Sequence, residues 1–177
     1  ERDRLVKFIE GGNLKPVALL NTHGHFDHIM GNAFVAGRWS LSTMIHSEDK
    51  PHLERAKQYS DMFGYKIEQP PLNTIELNDG DEIRFGESLL KVIHTPGHTR
   101  GGVSFYSEED KFVITGDALF AGSIGRTDLP GGDYDQLMES LLNKIIKLGE
   151  DYTVYPGHGP VTTIEKEIAT NPFLRYE

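Results

Sequence analysis

The feature that most limits how this chain can fold is a run of three histidines and one aspartate within six residues. The run has the pattern His-x-His-x-Asp-His at residues 23–28 and closely follows the apolar segment 17–20. About 0.001 copies of this pattern are expected by chance in a chain of this composition. The apolar segment is typical of a strand covered on both faces. We therefore predict that these four side chains lie at the end of a sheet, directly after a buried strand.

The spacing within this run indicates metal binding. If the strand stays extended, His23 and His25 point to the same side, because side chains repeat every second residue. These two histidines can then hold one metal ion together. Asp27 and His28 lie where the chain turns into a helix, so their side chains can face a second ion. Gly24 lets the backbone pass close to the site.

Three later segments each place one more potential ligand just after a predicted strand and beside a glycine. Rigid scaffolds often hold loop residues over one rim of a sheet in this way. Taken alone, each is more often a turn residue than a ligand. However, four ligands in one loop need distant partners to complete two coordination shells. These partners are His98 after strand 89–93, Asp117 after strand 112–114 and His158 after strand 153–155.

Seven ligands suit two divalent ions that share one carboxylate, which gives each ion four bonds to protein. Ions roughly 3.5 to 4 Å apart lower the pKa of a bound water from about 15.7 toward about 7, so a bridging hydroxide exists at neutral pH. Nitrogen and oxygen ligands suit zinc, and they also accept iron or manganese. We expect two divalent ions, with zinc preferred and Asp27 also orienting the hydroxide. The expected ligands are His23, His25, Asp27, His28, His98, Asp117 and His158.

The alternative is a purely structural role, in which the clustered histidines are polar loop residues and Asp27 caps a helix. The other three of the eight histidines, His46, His52 and His94, are interpreted as structural or surface residues. His94 lies on a predicted strand, where it can at most support a ligand from behind.

Composition excludes several function classes. The chain has 18 Lys and Arg against 27 Asp and Glu, a net charge of −9, so it lacks the cations that neutralise nucleic-acid phosphates. The absence of cysteine excludes disulfides, thiolate metal sites and cysteine nucleophiles. No apolar stretch approaches the roughly 18 residues that cross a bilayer, and the first residues are unlike a secretory signal. We expect a cytoplasmic protein with a small-molecule substrate and neither nucleic-acid nor membrane partners; its oligomeric state is left open.

The remaining pattern predicts one α/β domain spanning residues 1–177. Short β-type segments separated by turn residues predict a mainly antiparallel meander between residues 74 and 114. Asp133 with Gln136 resembles a capping box ahead of the helical pattern 137–146, and Thr162 with Glu165 resembles one that opens a last helix. The predicted strands of the meander are 74–77, 82–85, 89–93, 103–106 and 112–114, and the clearest helical patterns are 4–10, 47–63 and 137–146.

The ligand motifs resemble the metallo-β-lactamase fold superfamily in identity, order and separation. The segment 120–133 and the ending 171–174 are further similar to compact bacterial glyoxalase-II-like hydrolases. The motifs are Thr22-His23-Gly24-His25-Phe26-Asp27-His28, Thr95-Pro96-Gly97-His98-Thr99, Gly116-Asp117 and Pro156-Gly157-His158-Gly159.

This resemblance implies an αββα sandwich with the metal site on one rim. Members normally begin with several strands of the first sheet, whereas this chain opens at the first helix, so we expect N-terminal strands to be missing. Larger glyoxalase II enzymes add a helical glutathione-binding domain, so recognition here would rest on loops. The implied assignment is His23, His25 and His98 to the first metal, Asp27, His28 and His158 to the second, and Asp117 to both.

Four functions are compatible with this set of ligands. We expect a dinuclear hydrolase that cleaves a thioester or ester, most plausibly a hydroxyacyl-glutathione, by a metal-bridging hydroxide. A mononuclear iron persulfide dioxygenase would use only His23, His98 and Asp117; its corresponding loop usually contains cysteine, which this chain lacks. A lactonase would use the same ligands as the hydrolase. A non-enzymatic metal-binding protein would keep the ligands without turnover.

Arg126 lies in the glycine-rich loop after the Asp117 segment. The positive charge of two divalent ions exceeds the negative charge of the two carboxylates and the hydroxide at the site. We therefore expect the site to accept anionic substrates despite the negative net charge of the chain. We predict that Arg126 adds a cation near the substrate. The alternative is that Arg126 pairs with Asp128 or Asp133 and holds the loop.

Overall fold

A small parallel sheet forms from the first half of the chain. In this computed structural model, which describes residues 1–175, its strands pair in chain order, and Thr43 lies beside both Leu19 and Thr74. Parallel neighbours need crossover connections, and helices lie in the connections here. The elements are α1 (Arg2–Gly11), β1 (Leu19–Leu20), α2 (Phe26–Ile29), α3 (Asn32–Trp39), β2 (Thr43–Ile45), a 3₁₀ turn (Ser47–Asp49), α4 (Lys50–Met62) and β3 (Thr74–Glu76).

A larger sheet of six strands forms from the second half. Its neighbours pair antiparallel except for one parallel pair, in which Val154 lies beside Val113. A two-stranded hairpin follows the fourth of its strands along the chain. The strands are β4 (Glu82–Phe85), β5 (Ser88–His94), β6 (Val103–Ser107), β7 (Phe112–Gly116), the hairpin β8 (Leu119–Phe120) and β9 (Ser123–Ile124), β10 (Thr153–Pro156) and β11 (Thr162–Thr163), in the sheet order β11-β10-β7-β6-β5-β4.

Two further helices follow within the described residues. The first begins at Tyr134, where the Asp133 side chain accepts a hydrogen bond from the Gln136 amide at 3.0 Å, as the sequence predicts. This helix is α5 (Tyr134–Ser140), which continues as a π-helical segment (Leu141–Ile145) and a 3₁₀ turn (Ile146–Leu148), and the last helix is α6 (Ile164–Thr170).

The two sheets share one apolar interior. Leu20 and Met44 of the parallel sheet pack in the same cluster as Val92 and Phe105 of the larger sheet. Val92 and Phe105 are almost fully buried, and full burial of such a side chain is worth about 1.5 to 3 kcal/mol relative to exposure. This shared cluster holds the sheets face to face.

Helices cover the outer face of each sheet. Ile29 of α2 and Leu53 of α4 cluster with Ile45 of the parallel sheet. Leu137 of α5 clusters with Val154 of the larger sheet. The layer order is therefore helix, sheet, sheet, helix, and the αββα sandwich expected from the sequence is confirmed.

Three local expectations differ from the structure. The predicted strand 17–20 is reduced to Leu19–Leu20. Segment 74–77 belongs to the parallel sheet and not to the meander, because Leu77 is buried and its amide donates to the Ile45 carbonyl at 3.1 Å. The last helix is capped by Thr163, not Thr162, because the Thr162 hydroxyl donates to buried Glu167 at 2.6 Å.

The last two residues of the predicted domain 1–177 lie outside the described residues, and those boundaries stay a prediction. Within residues 1–175, no helix is both long enough and apolar enough to cross a membrane.

Candidate metal centre

The structure brings all seven predicted ligands together at one rim of the sandwich. Three overlapping groups can be drawn in which the ligand atoms lie within 4.8 Å of one another. The groups are His23, His25 and His98; His23, His28 and Asp117; and Asp27, His28 and His158.

Strand direction explains why distant segments meet here. β5 and β7 run in the same direction because each is antiparallel to β6, which lies between them. β10 is parallel to β7. His98, Asp117 and His158 follow the ends of these three strands, so they reach the same edge of the sheet.

The histidine-rich segment reaches this edge by a different route from the one predicted. β1 ends at Leu20, so the strand does not extend through the motif. The rings of His23 and His25 nevertheless lie 4.9 Å apart and face the same site. Asp27 lies inside α2, whose N-cap is His25, so the helix-cap alternative for Asp27 is wrong.

The first group of ligands is built from three imidazoles. His25 Nδ1 lies 2.9 Å from His98 Nε2. His98 Nδ1 donates to the Arg126 backbone carbonyl at 2.7 Å, which leaves its Nε2 lone pair directed at the site. His23 Nδ1 lies 3.1 Å from the Thr22 hydroxyl, and its Nε2 faces the same group.

The group formed by Asp27, His28 and His158, called the second group from here on, combines two imidazoles with one carboxylate. His158 Nε2 lies 3.1 Å from His28 Nε2 and 3.1 Å from Asp27 Oδ2. The Asp117 carboxylate lies between the groups, with Oδ1 3.3 Å from His28 Nε2 and Oδ2 3.6 Å from His98 Nε2. This position fits a carboxylate that bridges two ions.

Two buried atoms show that these residues fit metal ions. His23 Nε2 and Asp117 Oδ1 have no hydrogen-bond partner within the described chain. A buried polar atom without a partner costs about 1 to 3 kcal/mol, and a bound cation removes that cost. Gly157 keeps the space open, because a Cβ there would stand 2.3 Å from Asp117 Oδ1.

The electrostatics of the centre favour the metal-binding protonation states of His23, His25 and Asp117, whereas His28 is shifted the other way. Burial, and then the charge of neighbouring histidines, holds the pKa of His23 well below its ordinary value and lowers the pKa of His25 to about 3. Burial opposes protonation of His28, but contact with the negatively charged Asp117 carboxylate, whose Oδ1 lies 3.3 Å from His28 Nε2, raises its pKa. Burial alone would raise the pKa of Asp117, yet its contact with His28 lowers it. Neutral His23 and His25 and ionised Asp117 are ligand forms.

Asp49 is a functional residue that the sequence analysis missed. Its carboxylate is fully buried and accepts three hydrogen bonds, from the Gly24 amide at 2.7 Å, the Thr99 hydroxyl at 2.8 Å and the Gly101 amide at 2.7 Å. It therefore ties the loop of His23 and His25 to the loop of His98. Asp49 lies in the first turn of the predicted helix 47–63, where acidic residues are common, so no local signal distinguishes it.

Arg126 lies at the rim of the site with its guanidinium group paired. Nε and Nη2 donate to the two carboxylate oxygens of Asp128 at 2.8 and 2.7 Å. Asp133, the other partner considered, caps α5 instead. A direct contact between Arg126 and substrate stays a prediction.

The three histidines interpreted as structural lie outside the ligand groups. His46 and His94 stack with their ring centroids 4.3 Å apart. The ring centroids of His52 and His25 are 5.3 Å apart, so His52 borders the centre.

Comparison with known proteins gives the family of this fold and site. The sequence profile described as "Metallo-beta-lactamase superfamily" matches residues 1–158. The chain belongs to this superfamily. The resemblance drawn from the ligand motifs is thereby confirmed.

Relatives within the metallo-beta-lactamase superfamily cover nearly the whole chain. The "Probable metallo-hydrolase YqgX" of Bacillus subtilis is 37% identical, over 98% of this chain and 83% of its own length. "Hydroxyacylglutathione hydrolase GloC" of Haemophilus influenzae is 36% identical over the same shares. The crystal structure of TTHA1623 in a di-iron-bound form matches with a TM-score of 0.90 and 40% identity, over 98% of this chain and 85% of that one.

The ligand groups and these relatives agree on the general chemistry. The protein is a metal-dependent hydrolase of the metallo-beta-lactamase superfamily, with a metal site of histidine and aspartate side chains.

Proposed function

We propose that this hydrolase cleaves a thioester of the hydroxyacyl-glutathione class at two divalent metal ions. The observation that carries the proposal is the position of Asp117, whose two oxygens face ligands of both groups, at 3.3 Å from His28 Nε2 and 3.6 Å from His98 Nε2. The similarity to GloC supports the choice of substrate class.

The ligands divide between the two ions. Bound divalent ions supply a water-derived nucleophile at neutral pH and polarise the substrate carbonyl. Zinc is the preferred ion in this proposal, and iron or manganese fits the same nitrogen and oxygen donors. His23, His25 and His98 would hold one ion, Asp27, His28 and His158 would hold the other, and Asp117 would be a ligand of both.

Asp27 also acts on the attacking water. Its carboxylate is exposed at the mouth of the centre, with Oδ2 3.1 Å from His158 Nε2. In this position a carboxylate oxygen accepts a hydrogen bond from the attacking oxygen and orients it toward the carbonyl carbon. A carbon–oxygen bond forms, the carbon–sulfur bond breaks, and the thiol leaves with one proton of the water.

The second ligand group favours a hydrolase over the other functions. A mononuclear iron dioxygenase needs His23, His98 and Asp117 only and gives Asp27, His28 and His158 no role. A lactonase shares all the ligands, so substrate assays must separate it from a thioesterase. The proposal includes a small-molecule substrate, no nucleic-acid or membrane partner and a cytoplasmic location.

Metal analysis combined with a substrate panel tests the proposal. Protein purified without chelator is analysed by inductively coupled plasma mass spectrometry and assayed with S-lactoylglutathione, a lactone, a β-lactam and glutathione persulfide. We expect two ions per chain and thioester hydrolysis that a chelator abolishes and divalent metal restores. One iron with oxygen consumption would indicate the dioxygenase, turnover of the lactone alone a lactonase, and no turnover a binding protein.

A further inference from the structure

A cavity of about 240 Å³ opens beside the metal centre and is lined by two arginines. Within residues 1–175, neither Arg55 nor Arg100 has a carboxylate oxygen within 4.0 Å of its guanidinium group. Glu48 also lines the cavity, and its carboxylate forms no ion pair there either. In a chain of net charge −9, two arginines without acidic partners facing one cavity indicate a place for an anion.

One wall of the cavity is a single face of α4. His52, Arg55 and Tyr59 follow one another at helical spacing of three and four residues, so their side chains lie above one another. The rings of His52 and Tyr59 are 6.4 Å apart.

Arg100 lines the same cavity from the loop after β5, where hydrogen bonds hold its backbone. Its carbonyl accepts a hydrogen bond from His94 Nε2 at 2.9 Å, and buried Asp49 holds the residues on both sides of it. Its Cγ lies 3.7 Å from the position that a Cβ would take on Gly131, a residue with φ of +94°. The stem of Arg100 is thus supported by a turn, while its exposed head is free to meet a ligand.

The cavity adjoins the proposed reaction centre. The His52 ring, which lines the cavity, lies 5.3 Å from the ring of the metal ligand His25. Arg100 follows the metal ligand His98 by two residues. A substrate whose carbonyl lies at the centre can therefore extend past His52 into the cavity.

We propose that this cavity binds the free amino-acid end of the substrate's thiol arm, with its carboxylate between Arg55 and Arg100 and its ammonium group at Glu48. Guanidinium groups bind carboxylates through paired charge-assisted hydrogen bonds, and a carboxylate is the complementary acceptor for ammonium. The assignment rests on the proposed function, because the γ-glutamyl end of a glutathione thioester carries such a zwitterion. It makes Arg55, Arg100 and Glu48 specificity residues that touch substrate away from the reacting bond.

Binding of S-methylglutathione to the metal-loaded protein tests this assignment without any turnover, since this thioether cannot be hydrolysed. Isothermal titration calorimetry is run on wild type and on Arg55→Gln, Arg100→Gln and Glu48→Gln, with Arg84→Gln as control. Arg84 is exposed on β4, and its guanidinium group forms an ion pair with Glu82. N-acetyl-S-methylglutathione, which lacks the ammonium charge, is the second probe.

We expect each cavity arginine variant to weaken S-methylglutathione binding about tenfold, the size expected for a lost charge-assisted hydrogen bond. Wild type should prefer S-methylglutathione over the acetylated probe, and Glu48→Gln should lose that preference. Arg84→Gln should bind like wild type. Equal thermal midpoints and metal contents show that the variants are folded.

The outcomes separate this assignment from the proposed function. Wild-type affinity for S-methylglutathione in both cavity arginine variants, or no binding to wild type, overturns the assignment even if thioesters are hydrolysed. Binding that depends on Arg55 and Arg100 in a protein that hydrolyses no thioester supports the assignment and overturns the proposed function.

Discussion

The carboxylate of Asp49 accepts a hydrogen bond from the Gly24 amide at 2.7 Å and thereby holds the histidine-rich loop, residues 23–28, in place. The same carboxylate holds Thr99 and Gly101 beside His98. Asp49 therefore determines the separation of two ligand loops without contacting the ligands' metal-facing atoms.

Asp49→Ala should destabilise the protein and weaken metal binding together. The substitution leaves buried donors of Gly24, Thr99 and Gly101 without their acceptor, each at a cost of about 1 to 3 kcal/mol. We expect a loss of about 3 kcal/mol or more in the free energy of unfolding, measured by denaturant titration. Asp61→Ala, at an exposed position of α4, is the matched control and should change it by less than about 0.5 kcal/mol. A wild-type metal affinity in Asp49→Ala would contradict the positioning role.

Gly157→Ala should disturb the metal centre more than the fold. The added methyl carbon would stand 2.3 Å from Asp117 Oδ1 and 2.7 Å from His28 Cε1, so two ligand side chains must move. We expect fewer than two ions per chain by mass spectrometry and at least about a tenfold loss of kcat/KM. Gly37→Ala is the control, because its Cβ meets nothing within 4 Å. Full metal occupancy in Gly157→Ala would show that the site tolerates the displacement.

The ligand assignment predicts different losses of metal for different variants. Asp117→Ala should lower the affinity for both ions, because Asp117 lies between the two groups, whereas His25→Ala should lower the affinity for one. Activity should fall with metal content in both variants. His46→Ala, which removes a histidine outside the ligand groups, should keep both ions. Unchanged turnover in metal-depleted wild type would refute the mechanism.

The metal-free protein should lose stability as the pH falls from about 6.5 toward 5. The pKa of His25 is about 3 in the folded chain against an ordinary value of 6.5, so the unfolded chain binds its proton first. Each such histidine removes up to about 1.4 kcal/mol of stability per pH unit in this window. His23 acts in the same direction, while the raised pKa of His28 opposes it by stabilising the fold at low pH.

Denaturant titrations at pH 7, 6 and 5 measure this dependence. His25→Gln should show a shallower loss of stability than wild type, because it removes one of the groups with a lowered pKa. A metal-free wild type whose stability stays constant or rises over this range would disprove the expected sign.

Arg126→Ala should raise KM for an anionic thioester more than for a neutral ester. The pair with Asp128 is exposed, and solvent screening makes exposed ion pairs weak, so substrate can compete for the guanidinium group. Asp128→Ala, which frees Arg126, should leave this KM unchanged or lower it. Equal KM changes for both substrates in Arg126→Ala, together with lower stability, would assign the residue to loop structure instead.

Local rules in the sequence were sufficient to predict which side chains gather at the candidate metal centre, and much of the fold. His23, His25, Asp27 and His28 are recognisable because these metal-binding side chains occur within a few residues, beside a glycine and after an apolar strand. The antiparallel meander and the Asp133 cap are likewise predicted by residues that are close together in the sequence. Such features depend on spacing along the chain, and spacing can be read directly.

Only the tertiary structure decided which distant groups meet. Asp49 has its partners 25 to 52 positions away, Leu77 joins β3 to the parallel sheet through Ile45, and Arg55 faces the same cavity as Arg100. A buried carboxylate and a surface arginine each look ordinary in their own segment. Their roles arise from packing, because the sandwich brings α4 against the loop that follows β5 and so determines which donors, acceptors and charges are neighbours.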